Sequence, residues 1–195
     1  IGMLGGQFTR PTDFRDVESL NYLRAHTGDD VPAGLAVISR DNGRTPMQWD
    51  SSPAAGFTSG TPWIDVPASA SHINVEAQLE DPSSVYAYYR ALIEARHRVP
   101  ALTAGSFERI DAGDPALFVY QRSCEGSSVL VAANLSGRAI IPSGALVDEA
   151  FPSSRWNLYL GNMPGSHPDT EQETLTPTPA SSMAPWEARV YLAAR

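Results

Sequence analysis

Lysine is missing altogether: all fourteen basic residues of this 195-residue chain are arginine. A coding bias accounts for that, because the composition carries no arginine patch of the kind a nucleic-acid surface needs. Twenty-two carboxylates outnumber the arginines, giving a formal net charge of −8 and a pI near 4.9. That balance argues against a nucleic-acid backbone or an anionic membrane as the main partner. Cysteine is nearly absent as well. Cys124 stands alone, so no internal disulfide can form. A reducing compartment, the cytoplasm, fits that usage. No apolar run approaches the roughly 20 residues that span a bilayer. His26, His72, His97 and His167 are scattered, without a Cys or His partner at ligand spacing, so neither a metal nor a cofactor is expected. There is no Gly-x-Ser-x-Gly elbow and no glycine-rich phosphate loop. The chain starts at Ile1 with no methionine and no signal-peptide pattern.

What remains is ordinary for a globular protein: 42% of the residues are hydrophobic, enough to bury a core without staples. Residues 13–26 read as a helix, with Phe14, Val17, Leu20 and Asn21 or Leu23 at three- and four-residue steps and Gly28 as its stop. Residues 29–77 read as one long ordered loop. Trp49, Phe57, Trp63 and Ile64 are its apolar anchors, and the loop is expected to pack, tryptophans included, on a surface that this chain need not contain. A second helix is expected over 82–98, with Asp81 as N-cap, Pro82 at the first position and Pro100 as its end. Val85, Tyr88, Tyr89, Leu92 and Ile93 form its apolar stripe.

Beyond about residue 105 the period shortens. The runs "SFERI", "ALFVYQR", "SVLVAANLS", "RAIIP", "RWNLYLG" and "EARVYLAA" are separated by turn signals at Gly113, Gly126, Gly137 and Asn162. They predict an antiparallel β-sandwich. The fold class is therefore α+β in two parts, residues 1–102 and residues 103–195. Asn134-Leu135-Ser136 matches a glycosylation sequon but sits at a strand end, and reads as a strand-turn feature.

One irregular stretch concentrates polar groups: "SRDNGRTPMQWD", Ser39 to Asp50. Arginine offers a planar fork of donors that is always charged. Arg40 and Arg44, with Asp41 between them, suit sugar hydroxyls, which accept from arginine and donate to carboxylate. The same residues could instead pin the long loop through local ion pairs, and residue chemistry alone leaves the two readings even. Glycosidic cleavage needs a pair of carboxylates. Asp41 and Asp50 share the loop, with Asp13, Asp16 and Glu18 nearby, but nothing singles out a pair.

The strings "RDNGRTPMQWD", "AGFTSGTPW" and "INVEAQLEDPSSVYAYYRALIEARH" resemble the end of the catalytic barrel in glycoside hydrolase family 13, closest to the oligo-1,6-glucosidase and α-glucosidase group. The opening "IGM" and "DFRDVESLN" resemble the segment after that barrel's eighth strand, and "MAPWEARVYLAA" the last strand of the family's C-terminal β-domain. The likeness is close over residues 1–98 and looser beyond. It implies the end of a (β/α)8 barrel, namely the loop after strand eight and the last barrel helix, over residues 1–102. An all-β C-terminal sandwich would follow over 103–195. It also implies that Arg40 holds the terminal glucose of an oligosaccharide substrate, with Arg44 the second candidate and Asp41 the third. Gly43 stands where the family more usually has alanine, and the segment before the motif is shorter than in typical relatives. No residue here matches the family's nucleophile, acid/base glutamate or third carboxylate. The resemblance thus implies the C-terminal portion of a retaining α-glucosidase, inactive by itself and prone to self-association through barrel-facing surface. A trehalose-6-phosphate hydrolase, a dextran glucosidase, a sucrose isomerase or a free-standing carbohydrate-binding module are the alternatives. Against the last, Trp156 and Tyr159 are three apart and should point to opposite faces of a strand.

Overall fold

The computed structural model describes residues 1–26, 30–144, 152–163 and 177–194. They fall into two compact units, Ile1–Ala87 and Tyr88–Arg195. Gly28 and His167 lie outside the described residues.

The first unit is built from short helices and turns. Helix α1 covers Val17–Ala25, four residues later than the sequence predicts. Asp13 is engaged in a turn of its own: the carboxylate accepts from the Thr9 and Arg10 amides at 3.0 and 2.8 Å and pairs with the Arg10 guanidinium at 2.8 Å. Asp16 opens α1 instead, accepting from the Ser19 amide at 3.2 Å, a standard way to satisfy an orphan N–H. Phe14 therefore precedes the helix. It is buried and stacks on Phe8 at 5.1 Å, while Val17 faces outward. Phe8, Phe14, Leu35 and Ile64 form this unit's core, with Leu20 and Leu23 packed against it.

The long loop is less irregular than its composition suggests. It holds α2 (Ala33–Ile38), 3-10 turns at Arg40–Arg44 and Ala68–Ser71, and α3 (Val75–Glu80). Asn74 caps α3 by accepting from Ala77 N at 2.9 Å. Backbone bonds hold the loop rather than its aromatics: Trp49 N donates to Ala55 O, Val75 N to Gln48 O and Glu76 N to Trp49 O. Trp49, Phe57 and Trp63 are 50, 51 and 61% exposed, so the described residues do not themselves shield the two tryptophans, whereas Ile64 is buried.

Helix α4 spans Val85–Arg98. Its start also differs from the prediction. Asp81 closes a local turn onto Ser83 N at 2.8 Å, and the Ser84 hydroxyl accepts from Ala87 N at 3.1 Å in the capping position. Pro100 ends α4 and also opens α5, Pro100–Ala104, at its first turn, where a missing N–H costs nothing.

In the second unit, β1 (Glu108–Ile110), β2 (Leu117–Cys124), β3 (Ser127–Asn134), β4 (Trp156–Gly161) and β5 (Ala188–Ala193) make one antiparallel sheet. The strand order is β1-β2-β3-β5-β4. Alternation sends Leu117, Val119, Leu130, Ala132, Trp156 and Tyr191 to one face. Val129, Leu160 and Val190 go to the other, where Val99, Ala101, Tyr88 and Leu92 pack. A bulge between Leu158 and Leu160 moves Leu160 onto the face opposite Trp156. Trp156 and Tyr159 do lie on opposite faces, as their spacing predicts. The second sheet of a sandwich is not found among the described residues. Helices cover one face, and the other packs on Ala112, Ile140 and Met183. "RAIIP" contributes only the bridge from Ile140 to Met183.

Two arginines fasten this unit. Arg122 gives its guanidinium to the carbonyls of Leu102, Gly105 and Ser106 at the end of α5. Buried Arg189 pairs with buried Glu187 at 2.6 Å and also donates to the carbonyls of Ser181 and Ser182. Asn134 is buried. Its amide donates to Arg138 O and Ala184 O and accepts from Ser136, which makes it the strand-turn feature expected and leaves no room for a glycan. Cys124 is the last residue of β2 and is partly buried.

Candidate functional site

The polar stretch folds as a five-residue 3-10 turn, Arg40–Arg44. The Ser39 hydroxyl starts it, accepting from Asp41 N at 3.3 Å and from the Ser19 hydroxyl at 3.0 Å. The Asn42 amide group reaches back to the carbonyls of Ala36, Val37 and Ser39 at 2.8, 3.2 and 3.1 Å, closing the end of α2. A Cβ at Gly43 would meet nothing within 4 Å, so glycine there leaves no gap in a contact surface.

Within the turn the charges are sorted by depth. Asp41 is fully buried. Its Oδ2 accepts from the backbone amides of Arg15 and Asp16 at 2.7 and 2.9 Å, and its Oδ1 from Arg44 Nη1 at 3.2 Å. Asp16, whose side chain is 2% exposed, lies beside it. One oxygen of Asp16 caps α1, while Oδ1 accepts from Arg40 Nε at 2.9 Å and from Arg44 Nη1 at 3.3 Å. The guanidiniums themselves face outward, with the Arg40 side chain 53% and the Arg44 side chain 39% exposed. A looser contact at 3.6 Å joins Arg40 Nη2 to the exposed Glu18. Among the described residues, Nη1 of Arg40 and both Nε and Nη2 of Arg44 have no partner.

The structure thus brings Arg40, Asp41 and Arg44 together, and it adds Asp16. Sequence reading placed Asp16 nearby without giving it a role. The signal was present in the spacing: Asp16 followed by Ser19 is a helix-start pattern, obscured by the choice of Asp13 as the start. Burial pushes the Asp16 carboxyl up, but the Ser19 amide and the Arg40 and Arg44 guanidiniums outweigh it and hold the carboxyl below the usual aspartate range. Asp13 is lowered as well, by the Arg10 and Thr9 hydrogen bonds against the opposing pull of burial. Asp50 is lowered by the Ser52 hydroxyl and amide. None of these three is tuned upward toward general-acid work. Among the described residues no three of His, Cys, Asp and Glu are gathered as a metal site would need.

The cluster thus turns two guanidiniums outward above two buried carboxylates. The model of the alpha-amylase catalytic domain matches residues 4–105, more than half of the chain. The chain belongs to the alpha-amylase family, glycoside hydrolase family 13. It is 41% identical, over 98% of its length, to trehalose-6-phosphate hydrolase of Escherichia coli K12, of which it covers 33%. It is 34% identical, again over 98% of its length, to oligo-1,6-glucosidase of Halalkalibacterium halodurans, also covering 33%. Among solved structures, the R201Q variant of trehalose-6-phosphate hydrolase from Bacillus licheniformis is similar over the whole chain and 34% of that protein, with TM-score 0.77 and 31% identity. The chain spans about a third of the length of these relatives. Its combination of helices with an antiparallel sheet agrees with such a portion. Among the described residues no helix is long and apolar enough to cross a membrane.

Proposed function

We propose that the chain is the C-terminal part of a retaining α-glucosidase, one that removes terminal α-1,6- or α-1,4-linked glucose from short oligosaccharides. Residues 1–102 are the end of its barrel and residues 103–195 its β-domain, working in the cytoplasm. The full protein reacts by double displacement through a covalent glucosyl-enzyme. This portion supplies none of the reacting carboxylates and is inactive alone.

The observation that carries the reading is the pair of half-exposed guanidiniums with unengaged N–H groups, fixed from below by buried Asp16 and Asp41. Arg40 holds the terminal glucose through its outward N–H groups and Arg44 supports it. Asp41 completes the site from within, holding Arg44 and the Arg15–Asp16 backbone in place. Two arginines against two aspartates leave the cluster with no net positive charge, which suits an uncharged terminal glucosyl group. Trehalose-6-phosphate hydrolysis, whose phosphate sits on the other sugar, presents the same uncharged glucosyl to this site and stands as an alternative. Dextran glucosidase and sucrose isomerase remain alternatives that a substrate panel on the full-length enzyme separates.

Arg40→Ala in the full-length enzyme tests the assignment. If Arg40 holds the reacting sugar, kcat/KM for isomaltose falls by about a hundredfold or more. An unchanged kcat/KM would leave Arg40 only the task of pinning the loop.

A further inference from the structure

We infer that Asp16 is the positioning residue of the sugar site: its buried carboxylate sets the direction of Arg40, and through Arg40 the grip on the terminal glucose. The inference rests on the proposal that Arg40 contacts substrate, and it adds a residue outside the polar stretch, 24 positions upstream.

Asp16 cannot touch a ligand itself, because only 2% of its side chain is exposed. It is also not free to turn. Its Oδ2 is held by the Ser19 amide and hydroxyl at 3.2 and 3.3 Å, so Oδ1 is left pointing at the two guanidiniums. The two arginines depend on it unequally. Arg44 Nη1 has a second buried acceptor in Asp41 at 3.2 Å. Among the described residues Arg40 has no second buried acceptor: beyond Asp16 at 2.9 Å, its remaining contact there is Glu18, 78% exposed and 3.6 Å away. A long side chain held at one buried point loses its orientation when that point is lost, because several rotamers become accessible again. Arg44 would keep its place on Asp41. The capping bond of Asp16 also ties the site to the start of α1, so the helix and the arginine share one anchor.

The two duties of Asp16 can be separated chemically. Asparagine and serine cap helices about as well as aspartate, but neither carries the charge that holds a guanidinium. Asp16→Asn therefore keeps the cap and weakens the hold on Arg40. Made in the full-length enzyme, Asp16→Asn is expected to lower kcat/KM for isomaltose about tenfold or more, the scale of coupling between residues in direct contact. The change should divide between kcat and KM in the same proportion as for Arg40→Ala, whereas a partly misfolded preparation lowers apparent kcat and leaves KM alone. In the Asp16→Asn/Arg40→Ala double variant the losses should not add. In Asp16→Asn/Arg44→Ala they should come much closer to adding.

A normal kcat/KM in Asp16→Asn, with Arg40→Ala impaired, would overturn the inference and leave the sugar site standing. Additive losses with Arg40→Ala would overturn it too, since Asp16 would then act by another route. A silent Arg40→Ala would remove the sugar site itself. Should Asp16→Asn fail to fold, Asp16→Ser repeats the test. Failure of both to fold would contradict the inference and make Asp16 a residue of the fold.

Discussion

A buried carboxylate beside two guanidiniums is an asset only while it is ionised. Burial raises the Asp16 carboxyl, but the Ser19 amide, Arg40 and Arg44 bring it below the value of an unfolded chain. A depressed folded value means that the unfolded state takes up the proton first as pH falls. The stability Asp16 contributes is therefore fully present above the unfolded aspartate pKa of about 3.9, and it is lost as pH drops through the lower folded value. Urea midpoints of the wild type and Asp16→Asn, measured from pH 7 downward, should show a constant advantage to the wild type until about pH 4, then convergence. An advantage that disappears between pH 7 and 5 would contradict this assignment. At this scale the sequence was half legible. Arg40 and Arg44 stood out because an irregular segment collected donors without a helical or strand pattern. That Asp41 faces inward was not legible, because a carboxylate reads the same whether it meets water or two backbone amides. Asp16 was missed because its partners lie 24 and 28 residues away.

Helix and strand boundaries were decided by competition between neighbouring side chains for the same backbone groups. Asp81 and Ser84 are both good caps, but Asp81 is drawn to Ser83 N, leaving Ser84 to hold Ala87 N while donating to Gln78 O. Ser84→Ala should accordingly destabilise the chain by about 1 kcal/mol, and Asp81→Ala should cost clearly less. Chemical denaturation of both variants checks the order, and a larger loss in Asp81→Ala would return the helix start to Pro82. The strands were more legible than the helices, since five of the six predicted runs form the sheet. "RAIIP" did not, finding a partner only at Met183. The predicted sandwich failed for a definable reason. A near-continuous apolar run such as "SVLVAANLS" shows that a strand is buried on both faces, but not whether a sheet, a helix or a loop covers each. Here Val99 and Ala101, from the α4–α5 region, cover one of them. The bulge at Leu158–Leu160 left no mark in the composition either.

Over the whole molecule, the apolar surface left uncovered is as informative as the core. Tyr88, Leu92 and Ala95 of α4 turn inward, whereas Val85, Tyr89 and Ile93, four apart on the same helix, are 43, 63 and 55% exposed. The predicted single stripe is two stripes, one buried and one not. A row of this kind tends to find a second surface. Sedimentation of the isolated chain should show concentration-dependent association beyond the 21.0 kDa monomer, reduced by Ile93→Glu. A monomer at all concentrations would contradict that. The central claim is that this chain carries part of a glucose pocket and none of the chemistry. The most direct test is to incubate isomaltose with the full-length protein and, in parallel, with residues 1–195 alone, following released glucose and its anomeric form by NMR. The account predicts α-glucose from the full-length protein and no turnover by the shorter chain. Turnover by residues 1–195, or none by the full-length protein on any short α-glucoside, would contradict it.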